Sequence, residues 1–156
     1  MHRELIEQYA AGANVPAKSI VGLDPAHLLA FPVPGTWSIQ QIILHLMDSD
    51  LIGSVRMKRI AAEERPTLVG FNETAFANRL GYEHLSARDA AEIFRLNRLM
   101  TAEILRRLPP AAFERTGQHT ERGEVTLEQL LATYVQHVDH HLNFIRDKRK
   151  LLGKPL

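Results

Sequence analysis

At 156 residues, the chain is expected to form one domain spanning 1–156, large enough to bury roughly 70% of the surface its unfolded form exposes. A formal charge of +1 predicts neither a nucleic-acid partner nor an acidic membrane, the basic run "RDKRK" near the C-terminus being a local exception. The absence of cysteine excludes disulfides, thiolate metal sites and a cysteine nucleophile.

The opening stretch "MHRELIEQYAAGANV" has no hydrophobic signal-peptide core. No apolar run approaches the ~20 residues of a membrane span, so a cytoplasmic location is expected. The first helix is predicted over residues 2–12, from Leu5, Ile6 and Tyr9 at helical spacing, resuming after Pro16. "DPAHLLAF" predicts a short helical turn with Asp24 as N-cap and Pro25 at the first helical position, where its missing N–H costs nothing.

A second long helix opens at "SIQQ", with Ser38 and Gln41 spaced for a capping box, and runs to near Pro66. The third starts at "SARD", with Ser86 and Asp89 in the same arrangement, and stops at Pro109 and Pro110. The fourth starts at "TLEQ", with Thr126 and Gln129, and reaches about Leu152 before Gly153. A long connection joins helices 2 and 3 and is predicted to hold a short helix capped by Asn72 and ended by Gly81. "ERTGQHTERGEV" is polar and turn-rich, consistent with a small hairpin, and no segment shows sustained strand alternation. Four long amphipathic helices imply an all-α four-helix bundle.

"YVQHVDHHLNFI" places three histidines on the last helix. At 100° per residue His137 and His141 stand about 40° apart on one face, one turn apart, and can share a metal ion. His140 points away from them. A partly buried pair bonded to neighbouring helices has the same spacing, so the pair alone does not decide. The zincin variant is excluded, since Val138 follows His137 and no glutamate lies between the histidines. His45, beside the apolar stripe of the second helix, is the best third ligand. Asp48, three residues on, is either a further ligand or a solvated carboxylate. His2, His27, His84 and His119 fall in helix ends or loops and are expected at the surface.

At these residues the chain resembles the DinB-like superfamily of helical-bundle metalloproteins, most closely its YfiT type. "GTWSIQQIILHLMDSD" is similar to that family's tryptophan, helix cap and first histidine. "RMKRIAAEERPTLVGFNETAF" is similar to its helix end and following loop, with Pro66, Phe71, Asn72, Glu73 and Phe76 in register, and "GEVTLEQLLATYVQHVDHHLNFI" resembles its last helix. The resemblance implies a bundle holding one divalent metal through three histidines, carried over onto His45, His137 and His141. Two features depart from the family. Asp50 stands where YfiT-type sequences often have another histidine, and the first helix matches loosely.

Three imidazoles leave a metal with open positions, the catalytic pattern. By resemblance the expected activity is a metal-dependent transferase attaching a low-molecular-weight thiol to an electrophile in detoxification or stress response. The alternatives are a metal-dependent hydrolase of an ester or amide, and a non-catalytic bundle with a structural metal. Nickel or zinc is the expected ion, with iron or manganese also compatible. Arg56 is the candidate to hold an anionic group, against a surface ion pair as the plain alternative. Trp37 is expected as a packing anchor at the helix start or at a pocket mouth. A small-molecule substrate and a homodimer complete the expectations.

Overall fold

The computed structural model describes residues 2–156. Four elements make the bundle. These are α1 (His2–Ala11), extended through a 3-10 turn into α2 (Val15–Ser19), α4 (Ile39–Ala62), α6 (Ala87–Arg106) and α7 (Leu127–Leu151). Two short helices, α3 (Pro25–Leu29) and α5 (Glu73–Arg79), lie in the connections. The expected four-helix bundle is present, and its long second connection contains the expected helix, which Asn72 caps through the Ala75 amide at 2.8 Å.

The capping chemistry explains where the long helices begin. Ser38 and Gln41 exchange both bonds of a capping box at 3.1 and 2.9 Å, and Thr126 and Gln129 do the same at 3.1 and 2.9 Å. At α6 only half of the expected box forms. Ser86 accepts from the Asp89 amide at 3.1 Å, and no return bond from Asp89 is present.

The packing order differs from the chain order. α4 packs against α6 and α7, and α1 packs against the same two helices, so consecutive long helices α1 and α4 face each other across a diagonal. α6 and α7 form the other diagonal. The long connections make this possible, since a tight helix–helix turn would force neighbours in sequence to pack side by side.

Three strands, which periodicity did not announce, close one end. β1 (Thr67–Leu68) pairs in parallel with β2 (Thr116–His119), and β2 pairs antiparallel with β3 (Gly123–Thr126). The β2–β3 hairpin is the one suggested by the turn-rich segment. β1 is only two residues long, too short for an alternating pattern to show.

The core has two apolar clusters. Ile39, Ile43, Leu46, Phe94, Val138 and Ile145 belong to one; Tyr9, Met57, Ile60, Leu105, Leu127 and Leu131 belong to the other. Between them along α4 and α6 sits a polar layer. Asp50, 1% exposed, accepts from Arg98 Nε at 2.9 Å, from Asn97 at 2.8 Å and from the Tyr9 hydroxyl at 3.1 Å. Arg98, also 1% exposed, spends its other donors on the backbone carbonyls of Tyr9 and Tyr134 at 3.2 and 2.6 Å. Its guanidinium lies over the rings of Tyr9 and Phe94. This layer joins α1, α4, α6 and α7, and it accounts for aspartate at position 50 as a structural residue.

α4 and α7 run antiparallel and approach closely at Gly53. A Cβ there would stand 2.2 Å from Cζ of Tyr134, so only glycine admits that ring between the helices. The close approach brings the His45 face of α4 against the His137 face of α7.

Candidate metal centre

His45 comes from the first half of α4, and His137 and His141 from successive turns of α7. Their Nε2 atoms converge. His137 Nε2 lies 3.2 Å from that of His45 and 3.1 Å from that of His141. Donor atoms of all three residues fall within 4.8 Å of one another, and no other such group of three occurs among the described residues.

The donor set fits a divalent ion. Nitrogens at ~2.0–2.1 Å from a tetrahedral metal stand about 3.3 Å apart, close to the spacing seen. Without a cation, three neutral imidazoles facing one another can satisfy only some of their Nε2 atoms by N–H···N bonds. A metal uses all three lone pairs at once. His141 Nδ1 is buried without a partner, so ring packing orients this imidazole. Trp37 stacks against it at 6.4 Å with an interplanar angle of 8°, and Phe144 lies edge-on at 6.0 Å. Trp37 also packs on the His45 ring at 4.8 Å. The tryptophan is thus both a packing residue at the helix start and part of the site's wall.

The electrostatics hold these rings neutral. Burial lowers the pKa of His45 to about 4; burial, then the neighbouring imidazoles, lower those of His137 and His141 to about 3. Neutral imidazole is the form that coordinates metal. The same shifts predict an acid-sensitive metal-free fold. Each folded pKa lies below the unfolded value of ~6.5, so as pH falls below that value the unfolded chain takes up protons that the folded one refuses. Stability should therefore be full above about pH 6.5 and decline by up to ~1.4 kcal/mol per pH unit for each histidine until the folded values are reached. Urea midpoints of the metal-free protein at pH 7, 6 and 5 should fall steadily; a flat series would show that the three imidazoles stay solvated.

The other histidines separate as follows. His140 is exposed, as the helix wheel requires. His2 stacks on Phe113 with its Nδ1 3.1 Å from a Glu128 carboxylate oxygen; His27 bonds the capping Asp24 at 2.7 Å; His84 is exposed. His119 overturns its surface expectation, because β2 carries it inward to 4% exposure. Asp48 stays outside the cluster and accepts from the Tyr82 hydroxyl.

The cluster lies between two adjoining cavities. A polar one of about 390 Å³ is lined by Ser49, Arg56, Glu73, His119, Arg122 and His137, among others. A more apolar one of about 650 Å³ runs along Val33, Trp37, Ile42, His141, Phe144 and Lys148. Arg56 lines the first and is 9% exposed. One of its terminal nitrogens donates to the Tyr134 hydroxyl at 3.3 Å and the other to the Val69 carbonyl, while Nε has no partner. Among the described residues Arg56 makes no ion pair, the alternative considered for it.

Glu73 is the residue that helix-wheel reasoning passed over. It opens α5 directly after the capping Asn72, and its Oε2 stands 3.7 Å from His45 Nε2. The signal available was its place beside the cap in the loop resembling the YfiT type. Nothing in periodicity brings that loop onto α4.

Comparison with known proteins bears on this geometry. A family model described as the DinB superfamily matches residues 13–145. A protein of Halalkalibacterium halodurans is 29% identical over 126 residues, covering 81% of this chain and 73% of that protein. One of Bacillus licheniformis is 32% identical over 120 residues, covering 76% and 68%. YfiT of Bacillus subtilis is 27% identical over 120 residues, covering 76% and 67%. All three are provisionally named metal-dependent hydrolases. The solved structure of Bacillus subtilis YfiT matches with a TM-score of 0.91 at 22% identity, over 97% of this chain and 87% of that one. It is described as having an unusual four-helix bundle topology, and the present fold is of that kind.

Proposed function

The chain belongs to the DinB superfamily, and from that membership we propose that it is a metal-dependent hydrolase acting on an ester or amide. The observation that carries this reading is the Glu73 carboxylate, 3.7 Å from His45 Nε2 at the edge of the histidine cluster. Hydrolysis needs a group that accepts a proton from the attacking water and returns one to the leaving group, and a carboxylate beside the cluster can do both. The provisional names of the relatives support water over thiol as nucleophile.

His45, His137 and His141 would hold the ion, and their nitrogen donors suit zinc or nickel. Bound there, it would supply a water of lowered pKa and a Lewis acid for the carbonyl. The chain's own residues do the rest. Glu73, more than half exposed on the first turn of α5, takes the proton from the water and passes it to the leaving group. Trp37 and Phe144 pack on the His141 ring and give one side of the cluster an apolar wall. Arg56 lines the polar cavity and is the cation placed to hold an anionic part of the substrate there.

Glu73→Gln provides the test. Zinc- or nickel-loaded E73Q should retain its metal and lose ~10²–10⁴-fold in turnover across a panel of esters and amides. If the substitution empties the site instead, Glu73 is a fourth ligand, and a metal that braces the bundle becomes the better reading.

Thiol transfer, the first expectation from sequence, keeps one observation in its favour. The 650 Å³ cavity beside His141 leaves room for a cosubstrate next to an electrophile. With no cysteine in the chain, that thiol must come from outside. Metal-dependent conjugation by bacillithiol, mycothiol, glutathione or cysteine, with esters and amides untouched, would displace hydrolysis.

A further inference from the structure

Lys148 is an unusual wall for a cavity. It is 4% exposed, and its Nζ makes one hydrogen bond, to Thr36 Oγ1 at 2.6 Å. Thr36 in turn donates to the Val33 carbonyl at 2.8 Å, so its oxygen is the acceptor for the lysine. An ammonium has three donors, and two of these have no partner among the described residues. No carboxylate among the described residues pairs with it. The adjacent Asp147 lines the same cavity but lies 3.5 Å from exposed Lys150. Burying a cation without a counter-charge is costly, and burial lowers the pKa of Lys148 with no opposing partner. A carboxylate arriving from solvent would offset that cost.

The lysine stands in line with the histidines. His137, His141, Phe144 and Lys148 are spaced i, i+4, i+7 and i+11 on α7, and all four line the 650 Å³ cavity. Seven residues separate His141 from Lys148, which is about 10 Å along the helix axis. Between them the wall is apolar, with Phe144 from α7 and Trp37 and Ile42 from the facing segment.

We propose that Lys148 determines specificity by holding a carboxylate at the far end of the substrate, about 10 Å along the cavity from the histidine cluster. The substrate class is then an ester or amide with an apolar segment between its scissile carbonyl and a terminal carboxylate. This rests on the hydrolase reading for what happens at the carbonyl, and on geometry alone for the carboxylate.

The test uses binding and turnover separately. Zinc-loaded protein is titrated with the straight-chain dicarboxylates from succinate to sebacate and with monocarboxylates of the same lengths, followed by calorimetry and by fluorescence of Trp37, the one tryptophan. Affinity should rise to a maximum near suberate or sebacate and exceed that of the matched monocarboxylate by at least tenfold. In Lys148→Met the two should bind alike, and Lys148→Arg should restore the preference. Equal binding of mono- and dicarboxylates to the unsubstituted protein, or a preference that survives in both variants, would overturn the proposal. Turnover of an ester with a terminal carboxylate and of its neutral analogue is measured in parallel. Ester cleavage without a dicarboxylate preference sinks this inference and leaves the hydrolase; a Lys148-dependent preference without cleavage upholds the carboxylate site and sinks the hydrolase.

Discussion

Alanine at His141 empties the metal site, whereas alanine at the adjacent His140 leaves about one ion per chain: this is the expected result of elemental analysis on the two variants. His141 Nε2 faces His137 Nε2 at 3.1 Å, and its ring is wedged against Trp37. His140, one residue back, is exposed and touches His141 and Phe144 only edge-on. Removing one of three ligands should weaken binding by more than the ~10–100-fold that loss of an outer-shell partner costs. His45→Ala and His137→Ala should do the same, read by competition with a chromogenic chelator. His137 is the central member, within 3.2 Å of both others, and should show the largest loss. A site emptied by His140→Ala and spared by His141→Ala would rule out this ligand set.

The second large effect lies in the polar layer. Asp50→Ala leaves the Arg98 guanidinium buried at 1% exposure with no counter-charge. Breaking such a pair costs ~3–5 kcal/mol, a large share of the 5–15 kcal/mol that holds a typical domain together. Arg98→Met should cost a similar amount, because it strands Asp50 and frees the carbonyls of Tyr9 and Tyr134. The double variant Asp50→Leu with Arg98→Met removes both charges and should recover most of the loss. Urea unfolding of the three variants measures this. A double variant no more stable than either single one would mean that the bonds to Tyr9 and Tyr134, rather than charge pairing, dominate. The layer also bears on the metal. Arg98 grips α7 at Tyr134, one turn before His137, so Arg98→Met should loosen the α7 register and weaken metal binding.

Much of the bundle was legible from local chemistry. Ser38 with Gln41 and Thr126 with Gln129 mark the starts of α4 and α7, because a cap satisfies amides a few residues away and leaves its signature in that spacing. His137 and His141 were legible as a pair for the same reason, since helical geometry turns a spacing of four into a shared face. His45 was reachable by its position beside an apolar stripe, and the resemblance to a known family joined it to the pair. Glu73, His119 and Lys148 were not legible as walls of the two cavities beside the cluster. Glu73 reaches the cluster only because α5 folds back onto α4, and His119 only because β2 pairs with a two-residue strand.

Asp50 shows the division most plainly. The sequence departs there from the family's frequent histidine, and nothing local says why. Arg98 on α6 and Tyr9 on α1 supply the answer from 48 and 41 residues away. Composition, caps and helical spacing therefore determined by themselves the four long helices and the pair of histidines on the last. Only the tertiary structure decided the diagonal packing order, the polar layer at the bundle's middle and the two cavities that flank the histidine cluster. The reason is physical: caps and helix faces are set by neighbours within a turn or two, whereas a buried charge or a cavity wall is completed by side chains that only long-range packing brings together.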